Sequence, residues 1–323
     1  MRTIHIIIIL LTTATITSCG NASGLNNEEK STDTSLHCTA ASTSSTTKHE
    51  TDNFYAINDG GKFQVGNNID ILNQLPITGD HLIISPNGKY VAYTANTPDS
   101  ISQIHIYNIA TKHDETIDFD GKNTHTQSFS PDGNYLAISY MIDAKTCIAA
   151  LYNITTKKFT QVPRPSNGHL LRPTFSPDGE YLVCHDMCNA YIYTFKNGIA
   201  KYWKSISCAN LCINNGHAIN CSCKLQMTPK HDYIIYTCGD YSNGNTGRQL
   251  LNAYKIDNAK VQELLPNNKT CSGFDVSSDG TIYFLMNDTT INFKVYLTTL
   301  SDDKPVKISD KIFKNGKSIK VAY

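Results

Sequence analysis

The chain has 323 residues, of which 28 are lysine or arginine and 28 are aspartate or glutamate, so its formal net charge is zero. This balance excludes the strongly basic character by which a nucleic-acid partner is usually recognised. Eighteen tyrosines, frequent isoleucine and threonine, and almost no helical periodicity predict an all-β protein.

The N-terminus is organised like a secretory signal peptide. Arg2 precedes an apolar run centred on Ile6 to Leu11, which is too short to cross a bilayer because about 20 residues are needed. The tetrapeptide Ile16-Thr17-Ser18-Cys19 resembles a bacterial lipobox, in which the signal is cut before the cysteine and the cysteine thiol is acylated. The resemblance implies a signal peptide at residues 1–18 and a lipid on Cys19; an ordinary cleaved signal is the alternative.

Residues 19–53 continue as a segment rich in serine, threonine and asparagine with very few large apolar side chains. Such a segment cannot bury enough apolar surface to offset its ordering entropy, so we predict a disordered tether that starts at the lipidated cysteine. A flexible coil of this length has a typical reach of roughly 30 Å. The folded domain, predicted at residues 54–323, would hang near a membrane without being pressed on it.

One phrase recurs along the folded domain. It reads "LIISPNGKYVAY" at 82–93, "SFSPDGNYLAIS" at 128–139 and "TFSPDGEYLVCH" at 174–185, with weaker copies at 226–237 and 275–286. The anchoring positions, spaced 45, 46, 52, 49 and 36 residues apart, are Ser85, Ser130, Ser176, Thr228, Ser277 and Phe313. Repeats of about 40 to 50 residues that consist of short strands are typical of propeller blades.

The Ser-Pro-Asp-Gly phrase predicts a tight turn between the inner strand, a, and the next strand, b, of a four-stranded blade. Proline presets φ, aspartate can bond its own backbone, and glycine can adopt a positive φ. The residues assigned to these structural turns are Pro86, Gly88, Pro131, Asp132, Gly133, Pro177, Asp178, Gly179, Asp279 and Gly280. Each strand b, such as "YLAISY", is almost wholly apolar, as expected of a strand covered on both faces.

The two ends of the chain are expected to close the ring. The last phrase, "KIFKNGKSIKVAY", predicts two strands of an unfinished blade, and residues 53–65 predict its missing outer hairpin around the turn Asp59-Gly60-Gly61. Closure of this kind hides sheet edges that otherwise promote aggregation. The count favours a propeller with six blades, and seven is possible if residues 66–80 contain an extra strand pair.

The repeats resemble the WD40-like repeats of the TolB-type bacterial propellers, over most of residues 80–286. This resemblance implies the propeller fold and a platform for proteins or peptides. The fold alone does not determine function, because one propeller scaffold supports many unrelated activities.

Nine cysteines fall at or near one predicted face, called the top face, which carries the b-to-c loops and the d-to-a connections opposite the a-to-b turns. They are Cys147, Cys184, Cys188, Cys208, Cys212, Cys221, Cys223, Cys238 and Cys271. In an exported chain they form a candidate disulfide cluster of undetermined pairing. Free buried thiols are one alternative. The other is a zinc site, with candidate ligands Cys208, Cys212, His217, Cys221 and Cys223, although no Cys-x-x-Cys knuckle is present.

Nucleophile-elbow, zinc-protease and Walker motifs are all missing from the sequence. The sequence therefore favours a monomeric, lipid-anchored binding platform for a protein or peptide at the cell envelope, without catalysis, cofactor or metal. The alternative is a propeller enzyme of hydrolase or cyclase type with its site in the central channel. A platform is expected to have an apolar and neutral channel mouth, whereas an enzyme is expected to place two acids, or a histidine and an acid, within hydrogen-bond reach.

Overall fold

A computed structural model of the chain describes residues 53–96, 102–117, 119, 122–143, 145–165, 168–242, 247–266, 268–287 and 292–322. The described residues form six antiparallel sheets, the blades of a β-propeller, so the six-bladed prediction is confirmed. The predicted signal peptide, Cys19 and residues 20–52 of the tether lie outside the described residues.

The chain begins with three strands of the closing blade, blade six, and then builds blades one to three in order. The strands of blade six at this end are β1 (Phe54–Asp59), β2 (Lys62–Gly66) and β3 (Asn73–Thr78). Blade one contains β4 (Asp80–Ile84), β5 (Tyr90–Asn96), β6 (Ser102–Asn108) and β7 (Asp114–Ile117). Blade two contains β8 (Lys122–Phe129), β9 (Tyr135–Met141), β10 (Cys147–Asn153) and β11 (Lys158–Gln161). Blade three contains β12 (Leu171–Phe175), β13 (Tyr181–His185), β14 (Asn189–Lys196) and β15 (Ile199–Ser207).

Blade four departs from the pattern because a cysteine-rich connection precedes it. A short 3₁₀ helix (Cys208–Leu211) opens this connection. Blade four then contains β16 (His217–Ala218), β17 (Leu225–Met227), β18 (Tyr233–Asp240), β19 (Arg248–Lys255) and β20 (Lys260–Glu263), and both β16 and β17 pair with β18. Blade five contains β21 (Cys271–Val276), β22 (Ile282–Asn287), β23 (Phe293–Thr298) and β24 (Val306–Lys307), and β25 (Gly316–Ala322) is the last strand. Among the described residues, no helix has the length and apolar character needed to cross a membrane.

Ring closure uses strands from both termini, but not in the predicted proportion. β25 pairs with β1 from Phe54 opposite Ala322 to Asp59 opposite Gly316, and it is the inner strand of blade six. The C-terminal end therefore supplies one strand and the N-terminal end three, because Phe313 precedes β25 and makes only an isolated bridge to Phe293 of blade five. Residues 66–80 contain the outer strand β3 of the same blade rather than an extra strand pair.

The core consists of six apolar layers, one between each pair of neighbouring blades. Between blades two and three, for example, Leu151 and Ala137 pack with Phe175 and Leu182. A strand b covered on both faces by such layers has no polar alternation, which explains the apolar runs in the repeats. Asn53, placed in the tether by the sequence analysis, is buried and donates to the hydroxyl oxygen of Tyr283 at 2.7 Å, so this residue packs with the propeller.

The turns that follow the inner strands share one hydrogen-bonding pattern. In blade two, Ser130 Oγ donates to Asp132 Oδ1 at 2.5 Å and accepts from the Tyr135 amide at 2.9 Å, while Gly133 has a φ of 71°. Blades one and three repeat this pattern at Ser85 and Ser176, whereas in blade five Ser277 Oγ donates to Asp279 and the Thr281 amide donates to Asp279 Oδ1 at 2.9 Å. The glycines of all three turns have a positive φ, and all these turns lie on the face opposite the top face. Because strand directions alternate, the b-to-c loops and d-to-a connections emerge together on the top face.

Candidate functional site: a cationic channel below an apolar rim

The central channel holds a cavity of about 460 Å³ that is lined by the inner strands of all six blades. The repeat places an equivalent residue of blades one to five in its wall: the residue four positions before each anchoring serine or threonine. In blades one to five these residues are His81, Thr126, Arg172, Lys224 and Gly273. Blade six contributes Lys317, Ser318 and Lys320 from β25.

The charge of this lining differs from what was expected of a binding platform. Beside apolar and neutral side chains, the described lining residues include the cations Arg172, Lys224, Lys317 and Lys320, and their one acid, Asp80, bonds Lys317 at 2.7 Å. The sequence analysis did not identify these cations. They could have been found by comparing the position four residues before each anchor, where three of the five residues are histidine, arginine or lysine.

Arg172 lies where the channel opens to the top face, with a φ of 53° and a partly buried side chain. Its guanidinium donates to two neutral oxygens, the Cys221 carbonyl oxygen at 3.2 Å and Gln127 Oε1 at 3.5 Å. Burial lowers the pKa of Arg172, but an arginine starts so high that it stays charged. No ion pair joins this guanidinium to a carboxylate of the residues that the structure describes.

Deeper in the channel, one carboxylate serves two lysines from different blades. Asp275 of β21 lies 2.8 Å from Lys224 Nζ and 3.7 Å from Lys320 Nζ, and its second oxygen accepts the Val321 amide at 3.0 Å. Burial disfavours the charged form of Asp275, but the two lysines outweigh it and lower its pKa. Burial likewise lowers the pKa of Lys224, to about 7, against the opposing effect of Asp275. This triad connects blades four, five and six.

A second cavity of about 450 Å³ opens on the top face between blades two and three. It shares Arg172, His81, Gln127 and Ser222 with the channel cavity, so the two spaces adjoin. Burial lowers the pKa of His81 to about 3 and that of His125 to about 4, and the charge of Arg172 acts in the same direction on both. Both imidazoles are therefore neutral at neutral pH and leave Arg172 as the charged group of this wall.

His185, at the top-face end of β13, is also held neutral. Its Nε2 lies 3.0 Å from the Cys223 carbonyl oxygen, an acceptor, and its Nδ1 accepts the Met187 amide at 3.2 Å. A second proton on Nδ1 would face an N–H group, and burial lowers the pKa of His185 to about 4. The imidazole and the neighbouring Asp186, which accepts the amides of Cys188 and Asn189, thus shape the b-to-c loop.

We predict that the free energy of unfolding falls as the pH decreases from about 6.5 to about 4. An unfolded histidine takes up a proton near pH 6.5, whereas folded His185 does so only near pH 4. The neutral imidazole of folded His185 therefore contributes its full stabilisation above about pH 6.5. As the pH falls below this value, the free energy of unfolding decreases by at most about 1.4 kcal/mol per pH unit. Urea denaturation across this range should show a shallower decline in His185→Gln than in wild type. The exposed His113→Gln serves as the control, and an equally shallow decline there would contradict the assignment.

All nine propeller cysteines lie at or near the top-face ends of their strands or in the top-face loops, and all nine are unpaired in this structure. Four of those around the connection between blades three and four, Cys208, Cys212, Cys223 and Cys238, pack into the apolar layer between these blades. Burial raises the pKa of all four thiols, to about 12 for Cys208 and about 11 for Cys223. They occupy the positions of small apolar side chains. Cys188 and Cys221 are exposed.

Some of these thiols are brought together. Cys212 and Cys238 belong to the same apolar layer, and the amide of Cys208 donates to the Cys188 carbonyl oxygen at 2.8 Å. The five candidate zinc ligands, in contrast, do not converge. Among the described residues, ligand atoms of three or more such side chains come within 4.8 Å only at Asp178, Glu180 and His231, an exposed interblade group on the face opposite the top face.

Large apolar side chains are exposed in the loops of the top face, and we call this set the apolar rim. It has five members, which lie in the b-to-c loops of blades two, three and four or in the connections that follow blades three and five. They are Ile142, Met187, Ile213, Tyr241 and Ile312. The site as a whole is therefore a cationic channel below a rim of exposed apolar side chains, on a rigid scaffold.

The fold and site together define a six-bladed β-propeller with an open top-face channel. A TolB from Acinetobacter baumannii aligns with a TM-score of 0.59 and 13% identity over 84% of this chain and 66% of its own, so the chain spans slightly less than two thirds of that protein. A protein from Agrobacterium tumefaciens described as a TolB aligns with a TM-score of 0.54 and 15% identity, over 84% of this chain and 98% of its own.

A prolyl endopeptidase also aligns, with a TM-score of 0.47 and 15% identity over 81% of this chain and 42% of its own, which carries no argument about activity. No family model matches the sequence, and no curated protein matches it. At these identities the structural likeness shows the fold, and function has to be argued from the site.

Proposed function

We propose that this protein is a lipid-anchored, WD40-like propeller that binds a protein or peptide on its top face at the bacterial cell envelope and performs no catalysis itself. The observation that carries the proposal is the set of five exposed large apolar side chains in the loops of the top face. Exposed apolar surface costs free energy in a protein that stays unbound, and groups of such residues mark interaction sites.

The position of the rim supports a polypeptide partner. Loops on a rigid scaffold are the usual place for recognition residues. Exposed Met187 and Tyr241, together with isoleucines, supply the flexible and aromatic contacts that are frequent in protein interfaces. The TolB-like fold of the solved neighbours agrees with a platform whose contacts are made by its loops.

The proposed anchor is Cys19, followed by the tether. Two or three acyl chains give stable attachment, because each buried methylene contributes about 0.8 kcal/mol. With a tether reach of roughly 30 Å, the top face could meet a partner without contact between the propeller and the bilayer.

Site-specific photocrosslinking in intact cells tests the binding face. p-Benzoylphenylalanine would replace Ile213 or Tyr241, which are 42% and 45% exposed on the top face. Matched controls carry it at Val306, 54% exposed on an outer strand, or at Ile71, 72% exposed on the opposite face. Irradiation should produce a discrete polypeptide adduct from the top-face positions and none from the controls. Equal labelling from all four positions, or no adduct from the top face of the folded protein, would overturn the proposal.

Mass spectrometry of the protein from its own membrane fraction, with and without reduction, tests the anchor and the thiols. We expect a mature chain that begins at acylated Cys19 and a disulfide between Cys212 and Cys238, two cysteines that share the apolar layer between blades three and four. Because burial raises both thiol pKa values, this bond would form during folding, before the loop is packed. Its contribution to stability would be about 3 kcal/mol for a loop of this length. An unprocessed Met1 with all thiols free would refute both assignments.

A further inference from the structure

We propose that the channel cavity is a binding site for a small dianion of the dicarboxylate or phosphate class, held by Arg172, Lys224 and Lys320 and by the hydroxyls of Ser272 and Ser318. This site is separate from the apolar rim, and the inference does not depend on whether a polypeptide partner binds there.

The first argument is charge. Arg172, Lys224 and Lys320 line the cavity, and of the described residues only Asp275 forms an ion pair with any of the three. Asp80 does not offset them, because it is bonded to Lys317. Buried positive charges cost free energy unless a negative charge lies near them. They also create a positive potential in the cavity, so an anion is favoured in the space between them.

The second argument is unsatisfied hydrogen-bonding capacity. Ser272 Oγ of blade five and Ser318 Oγ of blade six are buried without a hydrogen-bond partner in the structure, and both residues line the same cavity. An unsatisfied buried hydroxyl costs about 1–3 kcal/mol, so such groups are rare unless something else bonds them. A serine hydroxyl that rotates about χ1 toward the cavity can donate to an oxyanion, and both serines lie where β21 and β25 approach each other.

The third argument concerns the ligand class. The Arg172 guanidinium donates only to neutral oxygens in this structure, so it keeps N–H groups that can bond a planar carboxylate or a phosphate. The volume of about 460 Å³ is within the range of small-molecule sites, and it is lined from six directions by a preformed ring of strands. Below about pH 7, where Lys224 is charged, three cations that share one carboxylate leave an excess of two positive charges, which a dianion balances.

Isothermal titration of the full chain, in a zwitterionic buffer, with succinate, inorganic phosphate and neutral succinamide as probes tests the site. We expect succinate or phosphate to bind with a Kd below about 1 mM, and succinamide not to bind. Arg172→Gln should weaken the binding by about tenfold or more, whereas Lys201→Gln on the outer strand β15 should leave it unchanged. Absence of heat from both anions with the folded wild-type chain would overturn the proposal.

A second pair of variants separates ligand binding from structure. Ser272→Ala and Ser318→Ala remove hydroxyls that have no partner in the free protein, so the Tm without ligand should be unchanged or higher. The affinity for the bound anion should fall about fivefold or more for the double variant, since two donors to the oxyanion are lost. Unchanged affinity in the double variant and in Arg172→Gln would show that any anion binds elsewhere on the protein.

Discussion

Truncation of the chain after Asn315 is expected to abolish the cooperative fold. The deleted segment contains β25, which pairs with β1 along six register positions and forms the wall of blade six in the channel. Ile319 and Val321 are buried in the layer between blades five and six, and Ala322 in the layer between blades six and one. Burial of Ile319 and Val321 alone contributes about 1.5–3 kcal/mol each, and the ladder adds to this, against a typical total stability of about 5–15 kcal/mol.

Circular dichroism with urea titration, together with gel filtration, would measure this loss. The truncated chain should unfold without a clear midpoint and associate through the exposed edge of β1. Lys317→Ala is the matched control within the same strand, because it removes only a solvent-exposed ion pair with Asp80 and should cost less than about 1 kcal/mol. A truncated monomer with the urea midpoint of the full chain would contradict the role of β25 in closure.

The second large effect is expected for Asp275→Asn. This substitution leaves Lys224 and Lys320 without the carboxylate that both now share, and the loss of one partner from a buried ion pair typically costs about 3–5 kcal/mol. Burial already lowers the pKa of Lys224 to about 7, and removal of Asp275 would lower it further. The destabilisation should therefore be larger at about pH 6, where Lys224 is charged in the folded wild type, than at about pH 9, where it is neutral.

The measurement is the free energy of unfolding by urea at both pH values. Asp310→Asn provides the control, since Asp310 contacts Lys307 and Lys294 but is 80% exposed, so its loss should cost less than about 1 kcal/mol at either pH. If Asp275→Asn is as mild as this control at pH 6, the triad does not stabilise the contact between blades four, five and six.

The blade pattern was predictable because it depends on local chemistry. Each turn needs a serine or threonine, a side-chain oxygen and a residue that tolerates positive φ within a few positions, and these are visible as a phrase. His231, with a φ of 59°, replaces the glycine in blade four, which is why that copy looked weak. The last copy was misplaced because Phe313 resembles the apolar residue before an anchor, whereas the inner strand of blade six is β25, which starts three residues later.

The cysteines and the channel cations illustrate the opposite case. Their assignment to the top face followed from strand order, but which of them pack together depends on how the connection between blades three and four folds over the apolar layer. Likewise, Arg172, Lys224 and Asp275 are far apart in the chain and come near one channel only after six inner strands form a ring. The residue pattern of one repeat does not show how charges from different repeats combine in the channel.

The amino-acid sequence by itself determined the all-β class, the six blades and the position of their turns, because short-range backbone preferences and apolar runs repeat along the chain. Only the tertiary structure decided which strand closes the ring, which thiols pack into one layer and which charges face the channel. These features arise from contacts between residues that are distant in the chain, as between Lys224 and Asp275, which are 51 positions apart, so the geometry of the whole ring sets the distance. The unpaired Arg172 and the two unbonded hydroxyls are features of that ring, and they mark the channel as the place to look for a ligand.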